Sequence, residues 1–204
     1  MVTLALVVLN VAVFLVELSQ GSDIDAFVGR WGLVPADVHE GPAAAVTLLT
    51  STFLHTGWFH LGANMVYLVV FGRPVEQRIR ATRFVALYVV SGLVGSLAYL
   101  VAQPTSQAPA VGASGAIAGV IAAHLVLFPG ATLGSIAPVL FLHVVESTPT
   151  LLLLLVWLAT QVLSSVASLT TSTGIAWWAH LGGFASGLVL APVLRRHRSR
   201  GGIS

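Results

Sequence analysis

Val111-Gly-Ala-Ser-Gly-Ala-Ile-Ala-Gly119 sets one hydroxyl, Ser114, at the head of an apolar run that continues to Phe128. Gly115 and Gly119 are four residues apart, so on a helix they share one face and leave it bare of side chains. Such a face admits the backbone of a second helix, the small-xxx-small arrangement of membrane bundles. Gly183 and Gly187 repeat the spacing in the last apolar run, beginning three residues after His180. Packing the two runs through these glycines brings the Ser114 hydroxyl within hydrogen-bond reach of the His180 imidazole.

Composition sets the medium in which this happens. Of 204 residues, 56% are hydrophobic and only 8% are charged, and the mean hydropathy of +0.94 lies outside the range of water-soluble domains. Six apolar segments follow from the pattern, over residues 2–17, 58–75, 84–101, 112–128, 149–168 and 174–194, each near the length that crosses a bilayer. The expected architecture is an all-α integral membrane protein, one domain over residues 1–204. A further apolar stretch, 131–145, is short and contains Pro138. The first segment is expected to be a retained helix rather than a signal peptide, since no basic stretch precedes it and no small-residue cleavage site follows. The absence of cysteine excludes disulfides, thiol catalysis and Cys-ligated zinc.

The arginines orient the bundle. Arg73, Arg78, Arg80 and Arg83 lie around the loop that joins the second and third segments, and Arg195, Arg196, Arg198 and Arg200 follow the sixth. With six spans all eight fall on one side, which the positive-inside rule makes cytoplasmic, together with both termini. Only Arg30 is outside, in a first loop that also carries Asp23, Asp25, Asp37 and Glu40. The basic tail reads as a solvated, lipid-contacting end, so no nucleic-acid partner is expected. Trp31, Trp58, Trp177 and Trp178 fit an outer interfacial belt.

In this topology the second, fourth and sixth segments all start on the outer side. His60 and Asn64, spaced i, i+4 on one face of the second, then share a leaflet with Ser114 and His180. Polar side chains inside a bilayer mark partners or function. A serine at a helix start is a favoured cap, but the unpaired N–H groups and positive dipole there also suit a developing oxyanion. His60 and Asn64 would either form a buried interhelical hydrogen-bonding pair or donate to that oxyanion. His124 belongs to the deeper half of the fourth segment, and His39, His143 and His197 read as structural or solvated.

At this point the residues resemble a family. Phe53-Leu-His55, His60-x-x-x-Asn64, Gly112-Ala-Ser114-Gly115 and Ala179-His180-x-Gly-Gly183, in that order, resemble the rhomboid intramembrane serine proteases, and Gly72-Arg-Pro-Val-Glu76 looks like that family's Gly-x-x-x-Glu turn. The resemblance implies a six-helix bundle in which Ser114 is the nucleophile and His180 the general base. His60, Asn64 and the Ser114 backbone N–H would form the oxyanion hole. It implies supporting roles for Gly112, Gly115 and Gly183, a structural role for His55, and membrane-spanning protein substrates. The chain departs from the family at Val46-Thr47, where many members carry Trp-Arg, and at Ala118, where many place an aromatic beside the histidine.

The alternatives are fewer. A metalloprotease helix needs His-Glu-x-x-His, but Leu61 follows His60, and the first-loop aspartates rule out an intramembrane aspartyl pair. No acid lies near His180 in sequence, so a Ser–His dyad is expected, with no cofactor or metal. The remaining readings are a non-catalytic rhomboid-like binder of membrane helices and a six-helix transporter with a His/Asn polar site. Against the transporter, the polar set occupies one leaflet only. The expected location is the plasma membrane of a bacterial cell, as a multi-pass protein. The Thr/Ser/Gly-rich loop 169–174 is the candidate lid.

Overall fold

The glycine spacing predicts a seam, and the fold is built on it. A computed structural model describes residues 1–40, 42–132, 149–168 and 176–195. The described helices are α1 (Val2–Ser19), α2 (Ile24–Trp31), α3 (Pro42–Thr50), α4 (Trp58–Ile79), α5 (Ala81–Ala102), α6 (Ser114–Leu127), α7 (Thr150–Ala167) and α8 (Trp177–Leu194). Short 3-10 turns join the first few. Among the described residues the only β pairing is two isolated bridges, Leu33 with Ala110 and Thr132 with Pro149.

At the centre stands α6, in which every residue from Gly115 to His124 is buried. A helix apolar on all sides has no amphipathic face and must be enclosed by others; α4, α5 and α8 enclose it. The α6–α8 contact is backbone on backbone. A Cβ on Gly183 would strike the Gly115 carbonyl, and one on Gly187 the Gly119 carbonyl. On the α5 side a Cβ on Gly95 would come within 2.7 Å of the Ala179 carbonyl, and Ser91 and Ser186 bridge their hydroxyls at 3.3 Å.

Two carboxylates hold α1. Its own sequence gives no side-chain cap at the N-terminus. Glu76 of α4 supplies one, accepting from the Val2 and Thr3 N–H groups at 2.7 and 2.9 Å and from the Thr3 hydroxyl at 2.6 Å. At the other end the buried Glu17 accepts the His55 N–H at 3.0 Å. Thus α1 runs antiparallel to α4. Arg83 donates to the Leu194 carbonyl at 2.8 Å, placing a cation on the negative end of α8.

Among the described residues four helices, α1, α5, α7 and α8, are long and apolar enough to cross a membrane. The other two segments expected to span differ in kind: α4 has 22 residues but carries His60, Asn64, Arg73, Glu76 and Arg78, and α6 has 14 residues. Two expected boundaries move. Gly112, expected inside the fourth segment, stands before α6 with φ +125°, and the helix starts at Ser114. The second and third segments extend to meet at Arg80, whose φ of 76° makes a one-residue turn. The expected first loop is itself largely helical, through α2 and α3. Stretch 131–145 beyond Thr132, lid loop 169–174, the first two residues of the sixth segment and the tail arginines beyond Arg195 lie outside the described residues.

Candidate active site

The stretch leading into α6 is stitched to the first loop, and this sets where Ser114 sits. Leu33 and Ala110 exchange both backbone hydrogen bonds, at 3.1 and 2.8 Å, and the Gly112 N–H donates to the Ser51 carbonyl at 2.9 Å. Ser96 of α5 donates to the Leu48 carbonyl at 2.8 Å, and Thr50 to the Trp31 carbonyl at 2.7 Å. These bonds hold the first loop in a chain that has Val46-Thr47 in place of Trp-Arg. Gly112 is required twice over. Its φ disfavours any side chain, and a Cβ there would lie 2.8 Å from the His60 ring.

With the α6–α8 seam closed, the Ser114 Oγ and His180 Nε2 are 2.7 Å apart. The other ring nitrogen, Nδ1, faces the Gln161 Oε1 of α7 at 2.6 Å. Two tryptophans flank the imidazole. Trp157 is tilted 30° to it at 6.4 Å between centroids, and Trp177 meets it edge-on at 5.8 Å. They supply ring contacts to His180 in a chain with no aromatic at position 118, and Ala118 itself is buried in the core.

His60 and Asn64 line the same cavity as Ser114 and His180, a space of about 560 Å³. Thr56 engages the His60 Nδ1, by its N–H at 3.4 Å and its hydroxyl at 3.1 Å. An accepting Nδ1 leaves Nε2–H as the donor, beside Gly112 and the start of α6. Asn64 spends one amide N–H on the His60 carbonyl, at 3.1 Å, and keeps a second. The first N–H groups of α6, Ser114 among them, have no partner within the helix. The cavity therefore gathers one hydroxyl, one imidazole in contact with it, and several N–H donors. That set can carry acyl transfer. Ile117, Ile121 and Tyr67 extend its wall down α6 and α4.

His55 stands behind this site. Its ring is buried and packs edge-on against His60 at 5.1 Å, and neither ring nitrogen has a hydrogen-bond partner among the described residues. Burial, with the His60 ring adding to it, pushes the His55 imidazole down to about 4. His124 lies apart, packed between Phe71 and Phe128. Among the described residues no group of three His, Asp or Glu is placed to hold a metal ion.

A match to the Rhomboid domain family runs over residues 42–197, which include every residue of the cavity. This chain belongs to the rhomboid family. It is similar to the mitochondrial rhomboid protein 1 of Saccharomyces cerevisiae, 31% identical over 91% of this chain and 51% of the yeast protein. It is similar also to RHOMBOID-like protein 5 of Arabidopsis thaliana, 42% identical over 38% of this chain and 25% of that protein. A third relative, inactive rhomboid protein 1 of Drosophila melanogaster, is 31% identical over 54% of this chain and 8% of its own length. The chain spans about half or less of the length of these curated relatives. Like its family, it is a helical membrane protein with several apolar helices.

Gln161 was not visible as a site residue in the sequence. The signal was the single carboxamide in a predominantly apolar membrane segment, where an unpartnered polar group is costly. It stands on a buried stripe with Thr150, Leu154 and Ser165. Glu17 and Glu76 were legible as polar, but not as the two clamps of α1.

Proposed function

We propose that this rhomboid is an intramembrane serine endopeptidase that hydrolyses peptide bonds in or near the membrane-spanning segments of other proteins. The observation that carries the reading is the 2.7 Å contact between the Ser114 hydroxyl and His180, at the wall of a cavity that His60 and Asn64 also line. His180 Nε2 takes the Ser114 proton as Oγ attacks the carbonyl carbon. The resulting oxyanion is held by the Ser114 N–H, His60 and Asn64. The imidazolium then protonates the leaving amine, and a water, activated by the same nitrogen, releases the acyl group.

The site belongs in the outer leaflet of a six-span bundle, formed by α1 and α4–α8, with both termini cytoplasmic. Arg73, Arg78, Arg80, Arg83 and Arg195 stand near the far ends of α4 and α8, away from Ser114. A plasma membrane of a bacterial cell fits this charge placement. At 14 residues α6 is about 21 Å long, against roughly 30 Å of hydrocarbon, so its head is sunk below the surface. A substrate helix becomes reactive there only where its own backbone amides are unpaired, and sequences with helix-weakening residues near the outer face should be cut.

The inactive Drosophila relative keeps a second reading open, a non-catalytic binder of membrane helices. A fluorophosphonate probe on detergent-solubilised protein separates the two. We expect labelling that is lost in Ser114→Ala and His180→Ala, together with cleavage of a transmembrane reporter. An unlabelled, folded wild type would leave the binder.

A further inference from the structure

Gln161 is buried, with 4% of its surface exposed, and its amide orientation follows from its neighbours. The Thr160 hydroxyl donates to the Trp157 carbonyl at 2.6 Å, so its oxygen is left to accept, and the Gln161 Nε2 lies 3.4 Å from it. The amide nitrogen is thereby turned toward Thr160 and the amide oxygen toward His180. An amide oxygen only accepts, so the ring nitrogen 2.6 Å away, Nδ1, carries the hydrogen. A neutral imidazole protonated at Nδ1 has its lone pair on Nε2, and Nε2 is the nitrogen facing the Ser114 hydroxyl. One side chain thus selects the tautomer able to take the serine proton.

We propose that Gln161 is the third member of the site, a positioning residue that holds His180 in the Nδ1–H tautomer with Nε2 turned toward Ser114. The inference rests on the reading of Ser114 and His180 as the reacting pair. Its logic is that of the carboxylate or amide that orients the histidine in other serine and cysteine hydrolases. A carboxylate in a hydrocarbon interior would be a buried charge, costly whenever His180 is neutral. A neutral amide supplies the same acceptor without that cost, and without full compensation of the imidazolium. Trp157, one turn before Gln161, adds a wall to the ring, so α7 provides both the acceptor and the support.

The test uses the full chain in detergent, with kinetics on a transmembrane reporter and 15N spectra of labelled histidine, His180 being assigned by loss of its signals in His180→Ala. Gln161→Leu keeps the size and removes the acceptor. We expect kcat to fall on the order of 10- to 100-fold, less than the roughly 10²–10⁴-fold that a positioned general base contributes as a whole because the base itself is retained, and KM to change less than about twofold. The His180 signals should move from a single Nδ1–H tautomer to a mixture. Gln161→Glu, which keeps an acceptor oxygen, should hold the hydrogen on Nδ1 and retain more of the rate than Gln161→Leu, short of the wild type because of its buried charge. Gln161→Met guards against a folding defect of the leucine variant and should behave like it.

A wild-type kcat in both Gln161→Leu and Gln161→Met would overturn the proposal. So would a reduced kcat with the Nδ1–H signal intact, since Gln161 would then act by packing. Ser114→Ala, run beside them, separates the two levels. Activity in that variant sinks the serine reading itself, whereas an inert Ser114→Ala with a normal Gln161→Leu removes only Gln161.

Discussion

Two walls of the same cavity are built in opposite ways. On one side α6 and α8 touch backbone to backbone through Gly115, Gly119, Gly183 and Gly187, and α6 is enclosed on every face. On the other, α7 turns a single stripe inward, packs chiefly along α8, and leaves Leu151, Leu152, Leu155, Val156, Val162 and Leu163 exposed. The seam fixes how far apart the backbones that carry nucleophile and base lie. The α7 wall fixes only how the base ring is turned. Distance is thus assigned to the rigid element and orientation to the loosely held one.

Breaking the seam should have the largest effect. Gly183→Val would force a side chain into the Gly115 carbonyl; overpacking costs roughly 1–3 kcal/mol and occasionally more, and here only backbone is available to yield. We expect loss of fluorophosphonate labelling and of reporter cleavage, with a lowered thermal midpoint. Wild-type labelling in that variant would mean the seam is not what sets the Ser114–His180 distance.

Next comes a donor that the seam does not touch. Asn64→Ala should lower kcat by roughly 10²–10³, the usual loss for one oxyanion-hole donor, with KM nearly unchanged because the interaction strengthens only in the transition state. His60→Ala should act in the same direction, and the double variant should be worse than either. A raised KM at constant kcat would assign Asn64 to ground-state contact.

A smaller, pH-dependent effect belongs to His55, behind the cavity. Its folded value of about 4 lies below the ordinary 6.5, so the unfolded chain binds a proton that the folded one refuses. Stability from this residue is therefore complete above about pH 6.5 and is lost as pH falls toward 4. The difference in thermal midpoint between wild type and His55→Gln should shift against the wild type across that window and level off below it. A constant difference from pH 7 to 4 would show that His55 does not titrate with unfolding.

The smallest effect is expected on the outer face of α7. Val162→Ala and Leu163→Ala should change stability by no more than about 0.5 kcal/mol and leave kcat unaltered. A large loss in either would show that this face is packed against something and is not the open side of the comparison.

What the sequence revealed follows the same division. The seam was readable because Gly-x-x-x-Gly beside Ser114 and beyond His180 states a backbone approach directly, and the i, i+4 spacing of His60 and Asn64 placed both on one face. Gln161 was hidden because helical periodicity says which residues share a stripe, not which neighbour the stripe meets. The helices inside the first loop were missed since 8- and 9-residue elements leave little periodic signal. Gly112 was drawn into the helix because its positive φ is set by His60 and Ser51, contacts far away in the chain.

The clamps on α1 carry a consequence for how this protein can vary. Glu76 binds two backbone N–H groups and one hydroxyl, and Glu17 binds a backbone N–H. Nearly all of these partners exist whatever residue occupies the position. The outward residues between the clamps, such as Val8, Leu15 and Val16, are exposed and need only be apolar. A helix clamped at its ends in this way is free to vary along its outward face, so α1 can be re-tuned to membranes of different lipid composition without disturbing the catalytic cavity.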